Sequence, residues 1–307
     1  MKRYIIGVDG GGTKTLGVLF DLHGNAKKQV KSGFANFNVD TKKTIEHVKE
    51  ILQLLTEGIN LDQIEMIQIG IAGYTNFEGK ELLLKELREN YLTEVSIVTD
   101  AEIALYSVKK DSDSDAIMVL GGTGSVIMLE HHGEIHFIGG FGHLLGDEGS
   151  GYHLSITALK NIIEQYEKNE GITDLSKSIL INIGASAYSD IKKFVYNNPK
   201  SIVAELSPFI AKHAEDGNEE AIKLFKQEGI LLAEQALRAY HTLNSKEEVL
   251  IGFTGGFLLN APYVKETLIQ ELDRNKVKYT LDVFPQEPVY GAYYLAMRHL
   301  NKRWKNG

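Results

Sequence analysis

The chain has 307 residues, of which 43% are hydrophobic and 24% are charged, a composition typical of a globular protein that is long enough for two domains. Its formal net charge of -8 argues against a nucleic-acid partner, and no apolar run is long enough to span a bilayer. The start of the sequence carries no apolar leader segment, so we predict a cytoplasmic protein without a membrane partner.

The first predicted element is a strand that ends in a glycine turn. A β-branched run closes at Asp9, and the turn that follows comprises Gly10, Gly11, Gly12, Thr13 and Lys14. Glycine backbone groups and the Thr and Lys side chains can present donors to a phosphate. The turn is not a P-loop, because Thr13 separates the last glycine from the lysine, and it does not open a helix as a dinucleotide-binding turn would. A phosphate-binding turn and an ordinary glycine hairpin both fit this stretch.

The next elements alternate between strands and helices. A second apolar strand over 16–22 and a third over 27–34 complete a hairpin and lead to Asn36 in a loop. The helices and strands predicted after this loop cover 41–57, 64–72, 78–90 and 94–99. Asp100 comes directly after the last of these strands and opens another helix. This alternation predicts an α/β domain with helices flanking a mixed sheet.

The opening pattern returns after a polar acidic turn at residues 111–115. A strand over 116–120 meets a second glycine turn, a further strand runs to residue 130, and His131-His132 marks a hairpin tip. The spacing matches the first copy and indicates an internal duplication. Two such turns would clamp one nucleotide between them. The histidines at the tip, with His136, have no carboxylates at ligand spacing, so we predict a solvated turn and no metal site there.

A glycine-rich loop over residues 139–151 follows the repeat and is too irregular for a helix or a strand. The sequence is then predicted to be mostly helical from Tyr152 to Leu243. The remaining predicted elements are a buried strand over 248–253 that ends in a turn with Gly255 and Gly256, a helix over 261–274, a strand over 279–284 and a terminal helix from Pro288.

The two glycine turns, the 139–151 loop and the Thr254-Gly255-Gly256 turn together resemble the sugar kinase/Hsp70/actin superfamily. More narrowly, the chain resembles the BadF/BadG/BcrA/BcrD-type ATPase family, which includes kinases of N-acetylglucosamine (GlcNAc) and N-acetylmuramic acid (MurNAc). The most specific match is the loop sequence GGFGHLLGDEGSG. The resemblance implies an α/β fold of two ribonuclease-H-like (actin-like ATPase) domains that face each other across a cleft. It implies an N-terminal domain over 1–112, completed by a helix over 289–307, and a C-terminal domain over 113–288.

The absence of cysteine selects among the members of this family. Some relatives activate benzoyl-CoA reductases or hydroxyacyl-CoA dehydratases with a cysteine-bound iron–sulfur cluster, which this chain cannot build. The neighbouring repressor/ORF/kinase sugar kinases usually carry a cysteine-rich zinc motif, which is also missing. No helix-turn-helix segment precedes Asp9, which disfavours a sugar-responsive repressor.

For the nucleotide, the resemblance implies ATP together with Mg²⁺. Asp9 would organise Mg²⁺ through water, and the alternative for this residue is a turn-forming Asp. The residues expected to bind ATP are Gly10, Gly11, Gly12 and Thr13 of the first turn, Gly122, Thr123 and Gly124 of the second turn, and Gly255 and Gly256 beside the adenosine.

For the sugar, the resemblance implies that Asp100 contacts the substrate and is the general base for its 6-hydroxyl. The alternative is that Asp100 only caps its helix. The other residues expected to bind the sugar are Asn36, Gly140, Phe141, Gly142 and Asp147. Many relatives have Trp where Phe141 stands, which bears on the width of the pocket.

These observations predict an ATP- and Mg²⁺-dependent kinase that phosphorylates the 6-hydroxyl of an N-acetylhexosamine, GlcNAc or MurNAc, in amino-sugar metabolism or peptidoglycan recycling. A glucosamine or glucose kinase is the alternative among enzymes and would differ in the pocket around the sugar C2. A non-kinase ATPase that regulates a partner protein, or a catalytically silent sugar sensor, is the alternative from another class. Relatives are commonly dimers, so a homodimer is expected.

Overall fold

The computed structural model describes residues 3–131, 134–169, 171–245, 247–282 and 286–306. The chain divides into two compact units. Unit 1 comprises Met1–Ala116 together with Phe284–Gly307, and unit 2 comprises Ile117–Val283. The division therefore falls after Ala116, slightly beyond the predicted boundary at 112, and the terminal segment returns to unit 1.

Ten strands and twelve α-helices are present in the described residues, together with two short 3₁₀ turns at Leu61–Gln63 and Tyr74–Asn76. The strands are β1 (Tyr4–Gly10), β2 (Thr15–Asp21), β3 (Ala26–Ser32), β4 (Ile64–Ile71), β5 (Glu94–Val98), β6 (Ala116–Gly121), β7 (Ser125–His131), β8 (Glu134–Gly139), β9 (Val249–Thr254) and β10 (Tyr279–Asp282). The helices are α1 (Thr41–Thr56), α2 (Lys80–Tyr91), α3 (Asp100–Lys109), α4 (Gly151–Glu167), α5 (Asp174–Asn182), α6 (Asp190–Asn197), α7 (Lys200–Ala204), α8 (Leu206–Glu215), α9 (Glu219–Leu243), α10 (Gly256–Asn260), α11 (Val264–Arg274) and α12 (Pro288–Asn306).

Unit 1 is built on a mixed sheet with the strand order β3-β2-β1-β4-β5. The first three strands form an antiparallel meander, and β4 and β5 run parallel to β1. Nearly every residue of β1 and β4 is buried, as expected for central strands that are covered on both faces.

Helices cover both faces of this sheet. Apolar residues of α1 and α2, such as Ile51 and Leu87, pack against one face in a core that includes Ile6 and Ile67. On the other face, α12 packs against β1 and β4 and also against α3. The close approach of α12 to α3 is made at Gly291, where a Cβ would overlap the carbonyl oxygen of Ile103. The terminal helix therefore helps to fix the position of α3.

Unit 2 contains a second mixed sheet with the order β10-β9-β6-β7-β8. Strands β7 and β8 are antiparallel, and β9 and β10 are parallel. Counted from β8, the order is β8-β7-β6-β9-β10, which repeats the order found in unit 1. The duplication predicted from the two glycine turns is thus confirmed at the level of strand order.

The helices of unit 2 build one large core with this sheet. It includes Leu154 and Leu159 of α4, and Phe225 and Leu232 of α9. The region from 152 to 243 is helical, as predicted, and is divided into α4 to α9. In the parts of the chain that the structure describes, each helix is too short or too polar to cross a membrane.

One predicted element at the end of unit 2 differs from the structure, and another is described only in part. The helix predicted over 261–274 begins only at Val264, because Ala261 is extended before Pro262, which disfavours helical backbone in the residue ahead of it. The strand predicted over 279–284 is present over Tyr279–Asp282, and the rest of that prediction falls on residues that lie outside the described ones, as does His132 of the predicted hairpin tip.

Candidate active site

The first glycine turn joins β1 to β2 and is held by backbone hydrogen bonds. Gly11 N donates to Lys14 O over 3.1 Å and closes the turn. Ala35 N donates to Gly11 O over 2.9 Å, and Ala72 N donates to Gly10 O over 2.9 Å. A Cβ at position 10 would lie 2.9 Å from the Ala35 Cβ, so this approach requires glycine. The loop after β3 and the end of β4 are therefore both fixed against the turn.

Asn36 lies in that loop and its side chain is directed at the turn. Its Oδ1 accepts from Asn38 N over 2.9 Å, and its backbone N–H donates to Thr44 Oγ1 over 2.9 Å. The Nδ2 atom lies 3.9 Å from the position that a Cβ on Gly12 would occupy. The amide NH₂ group thus faces the first turn, where it can donate to a bound ligand.

The strand register brings Asp9 and Asp100 to one edge of the sheet. Asp9 is paired with Gly70 of β4, and Gly70 is paired with Val98 of β5, two residues before Asp100. These three parallel strands end on the same side, and the side chain of Ile103 in α3 fills the space above Gly70. The two carboxylates interact electrostatically. Two acidic side chains therefore lie at the same edge of the sheet.

Burial alters the acidity of both carboxylates, and repulsion by Asp100 adds to the shift at Asp9. Burial first, and then the Asp100 carboxylate, raise the pKa of Asp9 to about 6, while Lys14 opposes the rise. Burial also raises the pKa of Asp100, against backbone hydrogen bonds that lower it. Two half-buried carboxylates that repel each other are stabilised by a cation, and carboxylate oxygens suit Mg²⁺. The described residues hold no cluster of three or more metal-ligating side chains, so a metal here would keep water or phosphate ligands.

Thr99 caps α3, and Asp100 does not. Thr99 Oγ1 accepts from Glu102 N over 3.2 Å, and Glu102 Oε2 accepts from Thr99 N over 2.8 Å, which completes a capping box. Asp100 is the first residue within the helix. The alternative in which Asp100 is the N-cap is therefore wrong, because Thr99 holds that position. The Asp100 carboxylate nevertheless accepts hydrogen bonds from backbone N–H groups at the start of the helix.

The second glycine turn occupies the corresponding place in unit 2. Gly122 N donates to Gly124 O over 2.8 Å, and Gly151 N donates to Gly122 O over 3.0 Å, which ties the turn to the first residue of α4. Gly255 has a φ of +95°, and a Cβ there would overlap the carbonyl oxygen of Gly121. The second turn, the start of α4 and the turn after β9 therefore meet at one place. Backbone N–H groups at such a place attract anions.

A cavity of about 590 Å³ opens beside the second turn. Apolar groups of α7, α8 and α10 form part of its wall, and charged side chains lie at its rim. The lining residues are Gly122, Thr123, Gly151, Ser201, Ala204, Glu205, Ser207, Pro208, Ala211, Lys212, Glu215, Gly256, Phe257, Asn260 and Ala261. This volume and this mixture of apolar and polar groups are typical of a site for a drug-sized ligand such as a nucleotide.

Asp147 lies in the glycine-rich loop beside the same turn. It is 4% exposed and has a φ of +66°, which is rare for a residue other than glycine. Its Oδ1 accepts from Ser125 N over 3.2 Å, and its Oδ2 accepts from Lys200 Nζ over 2.5 Å. Phe141 of the same loop is 74% exposed. The loop thus exposes the Phe141 ring to solvent, whereas the Asp147 carboxylate is buried and paired with Lys200.

The end of this loop is anchored on α9. Glu228 is fully buried, and its Oε2 accepts from Gly149 N over 2.8 Å while its Oε1 lies 2.9 Å from His153 Nδ1. The hydrogen bond to Glu228 raises the pKa of His153. Gln235 Nε2 donates to Glu148 O over 2.8 Å. These contacts fix the backbone that follows Asp147.

The predicted residues therefore fall into two groups, each assembled within one unit. Unit 1 brings together Asp9, the first turn, Asn36 and Asp100. Unit 2 brings together Asp147, the second turn, and the Gly255-Gly256 turn. Sequence reasoning missed Lys200 and the α7–α8 wall of the cavity, because they belong to a helical region without a motif. The only sequence signals there are Pro199 and Pro208, which mark helix boundaries.

Comparison with known proteins first defines the class of fold. A solved structure from Chromobacterium violaceum, of a protein provisionally named an N-acetylglucosamine kinase, superposes with a TM-score of 0.69 at 21% identity, covering 96% of this chain and 99% of that one. The fold is therefore the α/β fold of sugar kinases. The model of the BadF/BadG/BcrA/BcrD ATPase family matches residues 6–296, so the chain belongs to that family. The resemblance found in the glycine motifs is confirmed.

Two relatives are similar over nearly their whole length. The N-acetylmuramic acid/N-acetylglucosamine kinase of Clostridium acetobutylicum is 29% identical, and the alignment covers 96% of this chain and 98% of that protein. The N-acetyl-D-glucosamine kinase of Dictyostelium discoideum is 26% identical, with coverage of 96% and 98%.

Proposed function

We propose that this protein is an ATP-dependent kinase that transfers a phosphoryl group to the 6-hydroxyl of an N-acetylhexosamine, GlcNAc or MurNAc. The observation that carries the proposal is the half-buried Asp100, which lies at the same edge of the sheet as Asp9, interacts with it electrostatically, and is not the N-cap of α3. The names of the two relatives support an amino sugar as the acceptor. The nucleotide-sized cavity beside the second turn supports ATP as the donor.

For phosphoryl transfer, the protein mainly has to orient the two substrates and stabilise negative charge in the transition state. Asp100 orients the 6-hydroxyl and accepts its proton as the bond to phosphorus forms. Asn36 donates to the sugar through its amide, and Asp147 accepts from ring hydroxyls. Gly140, Phe141 and Gly142 line the sugar.

The phosphates and the adenosine are bound by backbone groups. From the first turn, Gly12 and Thr13 donate to the phosphates, and Gly10 and Gly11 allow their close approach, since the Gly11 N–H already donates to Lys14 O. From the second turn, Thr123 and Gly124 donate, and Gly122, whose N–H already donates to Gly124 O, allows close approach. The adenosine lies in the cavity, where Gly255 and Gly256 allow close approach. Asp9, with its partial burial and its acidic neighbour, suits a water-bound Mg²⁺, which would neutralise phosphate charge. The cytoplasmic location predicted from the start of the sequence stays a prediction, as do the homodimer and the role in amino-sugar metabolism or peptidoglycan recycling that follow from the resemblance.

The proposal is tested by coupling ADP formation to a colour change while GlcNAc, MurNAc, glucosamine and glucose are supplied in turn. We expect sugar-dependent ADP formation with GlcNAc or MurNAc that exceeds the rates with the two sugars that lack an N-acetyl group. Faster turnover of glucosamine or glucose would replace the proposal with the alternative kinase. ATP hydrolysis that no sugar stimulates would favour the ATPase that regulates a partner.

The raised pKa of Asp9 predicts an acid limb in the pH profile. The carboxylate is charged above about pH 6 and neutral below it, so the attraction for Mg²⁺ is lost as the pH falls. We expect kcat/KM to fall by up to about tenfold per pH unit below that point. The Asp9→Asn variant should lose most of its activity, and the activity that remains should not show this acid limb. Because ATP titrates in the same way with both proteins, the comparison distinguishes titration of Asp9 from titration of ATP. An unchanged limb in Asp9→Asn would assign it to another group.

Adjacent glycines in the turn after β9 offer a matched pair of substitutions. Gly255→Ala places a Cβ at a φ of +95° against the Gly121 backbone, and we expect a loss of about 1–3 kcal/mol in the free energy of unfolding together with weaker ATP binding. Gly256→Ala meets only Asn260 Nδ2, at 3.9 Å, and should leave the free energy of unfolding nearly unchanged. Chemical denaturation and nucleotide titration check both. Equal stability of the two variants would show that the strain at position 255 is relieved.

A further inference from the structure

Both carboxylate oxygens of Asp147 are already occupied in the structure. Oδ1 accepts from Ser125 N, and Oδ2 is paired with the ammonium of Lys200. Each oxygen can accept a second hydrogen bond, but Asp147 is only 4% exposed, so a sugar hydroxyl gains access to the carboxylate where one of these donors moves aside. The Ser125 donor is a backbone group of β7 and cannot move away. The ammonium, on a flexible four-carbon stem that is 27% exposed, is the donor that can leave.

The position of Lys200 defines where the released ammonium can go. Its Nζ lies 2.5 Å from the place that a Cβ on Gly124 would occupy, so it rests directly against the second glycine turn. Lys200 begins α7, and the neighbouring residue Ser201 lines the cavity beside that turn. Only glycine at position 124 leaves room for both the ammonium and the Asp147 carboxylate. A short rotation of the side chain therefore carries the charge from Asp147 toward a phosphate bound at the turn.

We propose that Lys200 is a catalytic cation that the sugar releases: a sugar hydroxyl takes its place on Asp147 Oδ2, and the freed ammonium contacts the terminal phosphate of ATP at the second glycine turn. This inference rests on the proposed function. The Lys200 ammonium stabilises the negative charge on the non-bridging phosphate oxygens while the bond from phosphorus to ADP breaks and the bond to the sugar oxygen forms.

In this arrangement, the Lys200 ammonium reaches the ATP phosphate only when a sugar is bound at Asp147. Without sugar, the ammonium is held by the buried carboxylate and contributes little at the phosphate, which limits transfer to water. With sugar, the Asp147 charge is satisfied by hydroxyl donors, and the cation becomes available. The left-handed backbone at Asp147, which costs free energy in a non-glycine residue, is consistent with a side chain held in place for such a task.

The test uses Lys200→Met, with Lys200→Arg to restore the charge and Lys177→Met as the matched control. Lys177 is also a lysine of unit 2 in an ion pair, 3.0 Å from Asp174, but both side chains are exposed. We expect Lys200→Met to lower kcat by about 10²-fold and to tighten sugar binding, because the competitor for Asp147 is gone. Lys200→Arg should recover part of kcat, and Lys177→Met should match the wild type.

Tighter sugar binding with lower kcat is the result that a merely structural role cannot produce. Calorimetric titration with GlcNAc or MurNAc in the absence of ATP gives the dissociation constant, and thermal unfolding checks that each variant is folded. The inference is overturned if Lys200→Met keeps kcat within about threefold of the wild type, or if its sugar binding weakens in parallel with kcat. If the wild type phosphorylates none of the sugars, the proposed function fails and this inference fails with it. If the wild type does so and Lys200→Met is unaffected, only the role of Lys200 is wrong.

Discussion

Replacement of Asp100 by Asn should lower kcat by about 10²- to 10⁴-fold and leave the KM for the sugar nearly unchanged. The amide keeps the size of the carboxylate and can still hydrogen-bond a hydroxyl, but it cannot accept the proton. The structure removes the main objection to this role, because Thr99 and Glu102 form the capping box without Asp100. Steady-state kinetics at saturating ATP, with sugar varied, separate kcat from KM.

Asp174→Asn is the matched control for this substitution. Asp174 is likewise the first residue of its helix, directly after a threonine cap, and its side chain is 94% exposed. Both variants lose the same favourable interaction with a helix N-terminus, worth about 0.3–1 kcal/mol. We expect Asp174→Asn to keep wild-type kcat. Comparable kcat in the two variants would return Asp100 to a purely structural role.

Replacement of Gly291 by Ala should destabilise the protein by about 3 kcal/mol or more. The added Cβ would overlap the Ile103 carbonyl oxygen and lie 2.6 Å from Ser107 N. Both are backbone atoms, which cannot rotate away, so α12 must separate from α3. Because α3 carries Asp100, we also expect kcat to fall in the fraction that remains folded. Chemical denaturation monitored by circular dichroism measures the loss.

The sign of this effect distinguishes packing from helix propensity. Alanine forms helices better than glycine by about 1 kcal/mol, so propensity alone predicts a gain in stability at position 291. Asn301→Ala, at an exposed position on the same helix, isolates the propensity effect and should be neutral or slightly stabilising. A gain in Gly291→Ala as well would mean that α12 and α3 are not in the close contact described above.

Periodicity and turn chemistry account for most of what could be predicted. The hairpin after β1, its repeat in unit 2 and the helical region from 152 onward are set by local patterns of apolar residues and glycines, which the sequence displays directly. The family resemblance rests on the same glycines, since they allow the backbone approaches observed at Gly10 and Gly255. The predicted ends of helices and strands were less accurate, because they depend on the backbone conformation of single residues. The extended Ala261 before Pro262, which delays the start of α11, is an example.

The parts of the site that could not be predicted depend on contacts between distant residues. Lys200 reaches Asp147 across 53 positions of sequence, and Glu228 reaches Gly149 across 79. Neither pair has a spacing that a single sequence displays as a motif. The sequence also could not show which residue caps α3, because Thr and Asp are both good N-cap residues. The observed hydrogen bonds identify Thr99 as the cap.

The most direct test of the kinase assignment is a proton–phosphorus NMR spectrum of the product formed from ATP, Mg²⁺ and the N-acetylhexosamine that is turned over fastest. We predict one new phosphomonoester signal, coupled to the two protons on C6 of the sugar. Phosphorus coupled to the C1 proton, or inorganic phosphate as the only new signal, would contradict the transfer to the 6-hydroxyl that Asp100 is proposed to direct.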